Sequence, residues 1–351
     1  MTETQEDKPL PNKLRLAVVG LGFWGRRWVP YALASDVCEL VAAVDPLPAA
    51  RASAVEAFDL PPELLFADLD AACAAAKPEA AVIVVQPKYH FAVASRALTL
   101  GLDILCEKPL APNMEEAKGL LAVTRASGRT FVVSQNYRYR GANRAVREAI
   151  ASGAIGELAY LTWDFQKAMR FGGWRDEEMD EVLLEDMSIH HFDLMRFLTG
   201  REVLEVYALG FRPDFSWFKG RPCASAVLRL EGDVCVSYFG SWVAPGTQTT
   251  LNGRVTIAGS RGTIEFDTDI GDATLVTERG CRRQTIRGGL DFPGLDRSLA
   301  AFARCLRTGE PAETDIADNI KSLAVDLAAL ASSRGGHPVL VADILGTERT
   351  D

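Results

Sequence analysis

The sequence predicts a doubly wound parallel α/β domain followed by an α+β domain whose sheet is mostly antiparallel. Over residues 14–133, short apolar runs alternate with longer, Ala-rich segments. That alternation builds a parallel sheet with helices on both faces. Beyond Ser134 the texture changes to a few helices and then runs of strands separated by Gly, Pro and Asp, the pattern of an antiparallel sheet. The length agrees: 351 residues, at roughly 100–200 per domain, give two domains. The boundary falls at 134/135, and the first 12 residues are expected to fray.

The first domain reads as follows. Leu14–Val19 is a strand and Trp24–Ser35 a helix. Glu39–Val44 is a second strand and Ala49–Phe58 an Ala-rich helix. Ala80–Val85 is almost continuously apolar, as expected of a strand buried on both faces. A helix over Phe91–Leu100, a strand over Asp103–Cys106, a helix over Met114–Ser127 and a strand over Thr130–Val133 complete it. In the second domain, Asn143–Ser152 and Glu181–Leu198 are helical, stopping at Gly153 and Gly200. Leu158–Phe165, Ala224–Leu230, Val234–Trp242, Arg254–Ala258 and Thr263–Phe266 are strands, and two helices follow at Ser298–Thr308 and Ile316–Ser333.

Composition narrows the function classes. A formal net charge of −9 argues against nucleic acid or an anionic membrane as partner, since both require clustered Lys and Arg. No stretch approaches the ~18 consecutive apolar residues of a membrane helix. The polar, acidic start Met1–Lys8 lacks the basic and apolar regions of a secretory signal, so a cytoplasmic protein is expected. The seven cysteines are scattered, odd in number and without a C-x-x-C pair. They read as reduced core thiols. None of the four histidines sits with them at zinc-site spacing, so no metal is expected.

The chemistry begins at Gly20-Leu21-Gly22-Phe23-Trp24-Gly25, which follows a strand and opens a helix. In a G-x-G-x-x-G turn, Gly20 permits the tight bend, Gly22 lets a pyrophosphate approach the backbone, and Gly25 lets helix and strand pack closely. The phosphates rest on free amides at a helix N-terminus, where the dipole favours anions. Phe23 and Trp24 lie within that turn and are assigned to the cofactor. Asp45 ends the second strand twenty positions after Gly25. A carboxylate there accepts hydrogen bonds from the adenosine ribose and repels a 2′-phosphate. The next residues are Pro46-Leu47-Pro48, without an adjacent cation. NAD is therefore expected, NADP less so.

Further segments then become recognisable. Val84-Val85-Gln86-Pro87-Lys88-Tyr89-His90 follows one strand and Cys106-Glu107-Lys108-Pro109-Leu110 the next. Asn136-Tyr137-Arg138-Tyr139 opens the second domain, Gly153-Ala154-Ile155-Gly156 follows, and Asp186-x-x-x-His190-x-x-Asp193 comes later. In this order and spacing the chain resembles the glucose–fructose oxidoreductase / inositol dehydrogenase (Gfo/Idh/MocA) family from about Leu14 to Leu340. The resemblance implies a Rossmann domain and a second domain with a large open sheet, whose face commonly forms homodimers or homotetramers. It implies oxidation or reduction of a carbinol carbon of sugars, cyclitols and their derivatives. Lys108 matches the family lysine between cofactor and substrate, Glu107 a residue near the nicotinamide ribose, and Gln86 and Pro87 the segment lining the cofactor. Gln86 stands where Thr or Ser is more usual. His90 and Asn136 are assigned to the cofactor side, and Arg138 to the substrate.

His190 and Asp186 resemble the family's catalytic pair. At roughly 100° per residue, Met187, His191, Leu194, Met195 and Leu198 share one helix face, with Asp186, His190 and Asp193 along its edge. A histidine with an unperturbed pKa of ~6.5 can take and return the substrate's proton near neutrality. Asp186 would orient substrate or stabilise imidazolium, and Lys108 would stabilise a developing alkoxide. His191 and Asp193 are expected to be structural. One departure stands out: the approach to Asp186 reads Glu181-Val182-Leu183-Leu184-Glu185, not Gly-rich. Upstream, Gly172-Gly173-Trp174-Arg175 reads as a mobile loop, with Trp174 to stack on a sugar face and Arg175 to meet an anionic group. Two other functions fit the same motifs: a glycosidase- or epimerase-like enzyme recycling tightly bound NAD, and a non-catalytic dinucleotide sensor.

Overall fold

The computed structural model describes residues 12–267, 271–277, 281–288 and 294–347. The chain forms two compact units: Met1–Gln135 with Leu295–Ile320, and Asn136–Gly294 with Lys321–Asp351.

The first unit runs β1 (Leu14–Val19), α1 (Gly25–Leu33), β2 (Cys38–Val44), α2 (Pro48–Phe58), β3 (Leu65–Phe66), α3 (Leu69–Ala76), β4 (Ala80–Ile83), α4 (His90–Thr99), β5 (Asp103–Glu107), α5 (Met114–Ser127) and β6 (Phe131–Ser134). Its six-stranded sheet has the order β3-β2-β1-β4-β5-β6, and every pairing is parallel. The strand order reverses beside β1, so the loops after β1 and β4 open at the switch point where such sheets bind ligands. All of β4 is buried, which explains its unbroken apolar sequence. The expected strands and helices are present, with ends moved by a few residues.

Helix α3 is not among the elements expected from the sequence. Its signal is a cap: the Asp68 side chain accepts from the Ala71 amide at 2.8 Å, satisfying one amide that a first turn leaves open. A second difference concerns α9 (Leu295–Thr308), expected within a continuous second domain over 135–351. Its Leu295, Leu299, Phe302 and Ala303 recur at helical spacing and enter the cluster formed by Leu14, Leu16, Trp28 and Val82. This helix belongs to the first unit, which a pattern read along the chain cannot register.

The second unit contains α6 (Gly141–Ala151), β7 (Leu158–Gln166), α7 (Trp174–Glu177), α8 (Ile189–Thr199), β8 (Val203–Phe211), β9 (Cys223–Leu230), β10 (Val234–Ser241), β11 (Arg254–Gly259), β12 (Gly262–Phe266), β13 (Ala273–Thr277) and β14 (Arg282–Ile286). After α10 (Ile316–Gly335), β15 (Val339–Leu340) and α11 (Val341–Leu345) close it. Its nine-stranded sheet has the order β14-β13-β12-β11-β7-β10-β9-β8-β15. All pairs are antiparallel except β7 with β10. Every residue of α8 from Ile189 to Leu198 is buried, so this helix is core on all sides, and its polar side chains must find partners inside.

Among the described residues, no helix is long and apolar enough to cross a membrane. All seven cysteines are free thiols, but only Cys38, Cys106 and Cys223 are buried, while Cys235 and Cys281 are exposed. The reading of all seven as core thiols holds for the first three.

Candidate active site

The glycine turn joins β1 to α1. A Cβ on Gly25 would lie 1.8 Å from the Gly20 carbonyl oxygen, and one on Gly20 would lie 2.6 Å from that of Val84. The chain's own packing therefore demands glycine at both positions. Gly22 differs: a Cβ there meets no atom within 4 Å. Among the described residues nothing occupies that space, which adjoins the N-terminus of α1, where the Arg26 amide donates to the Gly22 carbonyl at 3.0 Å and the Arg27 amide to that of Trp24 at 2.9 Å. That open cradle on a helix N-terminus fits a pyrophosphate. Phe23 and Trp24 are exposed on the same turn, with the Arg27 guanidinium 4.9 and 4.6 Å from their ring centroids.

Asp45 is buried and already committed to the backbone. Its Oδ2 accepts from the Leu21 amide at 2.8 Å and its Oδ1 from the Leu47 amide at 2.9 Å. Each carboxylate oxygen has a second lone pair, so the group both braces the turn and keeps acceptor capacity for a ribose hydroxyl. No cation follows Asp45 directly in the sequence, but one stands beside it in space. Helix α2 brings Arg51 back, its Nη1 donating to the Asp45 carbonyl at 2.6 Å.

Two loops at the ends of β4 and β5 carry the remaining first-unit candidates. Gln86 is exposed and Pro87 half-buried. Glu107 is half-buried; its Oε1 accepts from the Trp28 indole at 2.8 Å and its Oε2 from the Lys108 amide at 3.2 Å. Burial raises the pKa of Glu107, against the lowering effect of Trp28 and Lys108. Lys108 is half-buried and joined to Pro109 by a cis peptide bond. His90, assigned to the cofactor, is fully buried. Its Nδ1 lies 2.9 Å from the Pro109 carbonyl and its Nε2 3.0 Å from that of Val85. It ties the Gln86 loop to the Lys108 turn and offers no surface to a ligand.

In the second unit, Asp186 lies in a π-helical stretch, Leu184–Ser188, that runs into α8. Such bulges inside helices often mark functional sites, and the uniform 100° step does not hold across this one. Arg175 Nε lies 3.2 Å from Asp186 Oδ1, and its guanidinium is 5.0 Å from the Trp174 ring centroid. The anion that Arg175 was expected to meet is thus supplied by the chain itself. Nor is its segment an irregular loop. Residues 174–177 form α7, and the Asp176 carboxylate accepts from the Phe171 and Gly172 amides. Trp174 is half-buried, and His190 is 7% exposed. The His190 ring stacks on Tyr137 with centroids 4.2 Å apart. Asn136, which opens this turn, is half-buried.

Arg138, assigned to substrate, is instead buried in an ion pair. Its Nε and Nη2 donate to Asp193 Oδ2 and Oδ1 at 2.7 and 2.6 Å, a fork geometry suited to a carboxylate. Ser322 Oγ donates to the same Oδ1 at 2.6 Å. Asp193 is structural, through side chains rather than backbone. His191 is structural as well: its Nδ1 lies 3.1 Å from the Tyr238 hydroxyl and its Nε2 2.9 Å from the Leu251 carbonyl. Burial pushes its pKa down to about 3. Three further residues are not evident as site residues from the sequence: Trp28, whose indole donates to Glu107, and Tyr137 and Arg140, which stack with His190 and with one another. The recurrence of Tyr and Arg over residues 137–140 is a signal for the latter two, and Trp28 has none.

Comparison with known proteins supplies the context. A family profile described as an oxidoreductase family with an NAD-binding Rossmann fold matches residues 14–135, and the GFO/IDH/MocA C-terminal domain matches residues 143–265. D-apiose dehydrogenase of Paraburkholderia graminis is 27% identical over 344 residues, covering 93% of this chain and 90% of that protein. Inositol 2-dehydrogenase of Leifsonia xyli is 32% identical over 194 residues, covering 55% of this chain and 56% of that protein. An Agrobacterium radiobacter oxidoreductase, solved with NAD+, L-tartaric acid and magnesium, superposes with a TM-score of 0.86 at 22% identity. It covers 95% of this chain and 100% of that one, a likeness of fold. The two matched domains, following the glycine turn and the motifs built on it, establish that this chain is an oxidoreductase of the Gfo/Idh/MocA family.

Proposed function

We propose that the protein is an NAD-dependent dehydrogenase acting on a secondary alcohol or ketone carbon of a sugar, cyclitol or sugar derivative. The observation that carries this reading is the open cradle at Gly22, set on a helix N-terminus with Asp45 bracing the turn. Relatives that act on D-apiose and inositol support the substrate class. Bound at the turn, the nicotinamide supplies the acceptor and donor of hydride.

The protein's own residues do the rest. Lys108 donates to the reacting oxygen and stabilises the negative charge that develops there as the hydroxyl proton leaves in oxidation, or as hydride reaches the carbonyl carbon in reduction. His190 takes the hydroxyl proton during oxidation and returns it during reduction. Asp186, steadied by Arg175, orients the substrate and offsets the imidazolium charge. Gln86, Pro87, Glu107 and Asn136 border the cofactor, while Trp174 offers an aromatic face to a sugar ring. Asp45 favours NAD over NADP, with Arg51 as the group that would relax this preference.

The exposed face of the second-unit sheet supports a homodimer or homotetramer. Tyr160, Tyr207, Leu209, Val227 and Phe239 are exposed there on four neighbouring strands. Contiguous apolar surface of this kind marks interaction sites.

The test is a panel of aldoses, including D-apiose, and inositols, each with NAD and with NADP, followed by absorbance of the reduced cofactor. At least one member should reduce NAD faster than NADP. Equal rates would reassign the 2′ site to Arg51, and a panel with no cofactor reduction would count against the proposed reaction.

A further inference from the structure

The imidazole of His190 lies on the phenol ring of Tyr137 with the two planes 6° from parallel. The guanidinium carbon of Arg140 lies 3.3 Å from the centroid of that same phenol. Two planar groups at these distances cannot share one face of a ring without overlapping. The phenol is therefore covered on both sides, by imidazole on one and by guanidinium on the other.

The lower half of this stack is held by a closed polar circuit. Arg140 Nη1 donates to Asn252 Oδ1 at 2.9 Å, Asn252 Nδ2 donates to Asn143 Oδ1 at 3.0 Å, and Asn143 Nδ2 donates to the Tyr137 carbonyl at 2.9 Å. The circuit returns to the backbone of the residue whose ring it supports. Arg140 is 1% exposed, and Asn143 and Asn252 are wholly buried. Buried side-chain hydrogen bonds of this kind hold in place what they touch. His190 keeps an opening of 7%, whereas its neighbour His191 has none. The stack thus leaves a small part of the imidazole open while one of its faces lies on the Tyr137 ring.

We propose that Tyr137, clamped by Arg140, is the positioning residue that fixes the plane of the His190 imidazole. This rests on the reading of His190 as proton carrier. The basic lone pair of an imidazole lies in the plane of its ring, so proton transfer needs that plane aimed at the substrate hydroxyl. Face-to-face contact permits sliding but opposes tilting out of plane. The phenol acts through its ring and not its hydroxyl, so Phe substitutes for it and an aliphatic side chain does not.

The test uses the whole protein with histidine side chains isotopically labelled. The chain has only four histidines, so His190 ring signals are assigned by their loss in His190→Gln. Stacking places the His190 ring protons in the shielding zone of Tyr137. An upfield displacement is expected in the wild type and in Tyr137→Phe, and its disappearance in Tyr137→Leu. With the best substrate of the sugar and cyclitol panel, kcat of Tyr137→Leu should fall about 10- to 100-fold, the scale of an ångström of misplacement. KM should stay within about threefold, and Tyr137→Phe should keep about half of wild-type kcat or more.

Loss of the displacement without loss of kcat, in an enzyme that His190→Gln inactivates, overturns the positioning role. Full turnover by His190→Gln instead removes the proton-carrier reading while the ring shift still reports the stack. Should Tyr137→Leu not fold, Arg140→Met provides the second test. It fills similar volume without the charge or the bond to Asn252, and unchanged ring shifts and kcat in that variant would overturn the clamp.

Discussion

His190 and His191 adjoin in sequence and differ in what decides a histidine's chemistry. His191 is enclosed, with both nitrogens against protein oxygens and burial holding its pKa near 3. In the unfolded chain the same group binds a proton below about pH 6.5. Between those values the unfolded state holds the extra proton, so stability falls as pH is lowered from about 6.5 towards 3, by up to ~1.4 kcal/mol per pH unit for one group. His90, also pushed down by burial, acts with the same sign. His191→Gln should therefore flatten the dependence of Tm on pH in this range by about one proton. An unchanged slope in thermal melts at several pH values would show that His191 is charged in the fold. At this scale the sequence separated the two histidines by their places on a helix. It could not foresee that Asp193 would take Arg138 as its partner, because that pairing joins residues distant in sequence.

At the scale of elements, the glycine turn and the Asp186 segment teach opposite lessons. The turn was legible because each glycine answers a local requirement: strand, bend and helix follow one another within a few residues. The structure sharpens those roles, since Gly20 and Gly25 are required by the protein's own atoms and Gly22 is not. A Gly22→Ala variant should keep its melting temperature yet bind NAD about tenfold or more weakly, which is ~1.4 kcal/mol. Gly25→Ala should lose stability as well. Isothermal titration beside thermal melts separates the two, and undiminished NAD binding by Gly22→Ala would mean that the phosphates do not lie over that residue. The Asp186 segment was legible as a helix but not as a π-bulge. One hydrogen-bond register there depends on packing around a helix buried on all sides. Helix α3 was missed for a smaller reason, an Asp cap whose short Ala-rich helix carries little periodicity.

At the scale of the whole molecule, two sheets of different kind are legible because the order of elements limits how strands can connect. Strand–helix alternation implies the parallel sheet, and runs of strands separated by Gly, Pro and Asp the antiparallel one. The return of α9 to the first unit was not foreseen, since membership of a core is a property of space. The alternation in β8, β9 and β10 leaves Tyr207, Leu209, Val227 and Phe239 outward. In sedimentation at micromolar concentration, the wild type should run as a dimer or tetramer and Val227→Glu as a smaller species that still binds NAD. A monomeric wild type would remove the assembly through this face. The proposed coupling of a nicotinamide at the glycine turn to proton transfer at a substrate oxygen held by Lys108 is read out by kcat of Lys108→Ala, measured beside its NAD affinity. Turnover is expected to be lost, on the order of a thousandfold for a missing oxyanion-stabilising group, with NAD affinity within a few-fold. Turnover near the wild-type rate would exclude Lys108 from that role.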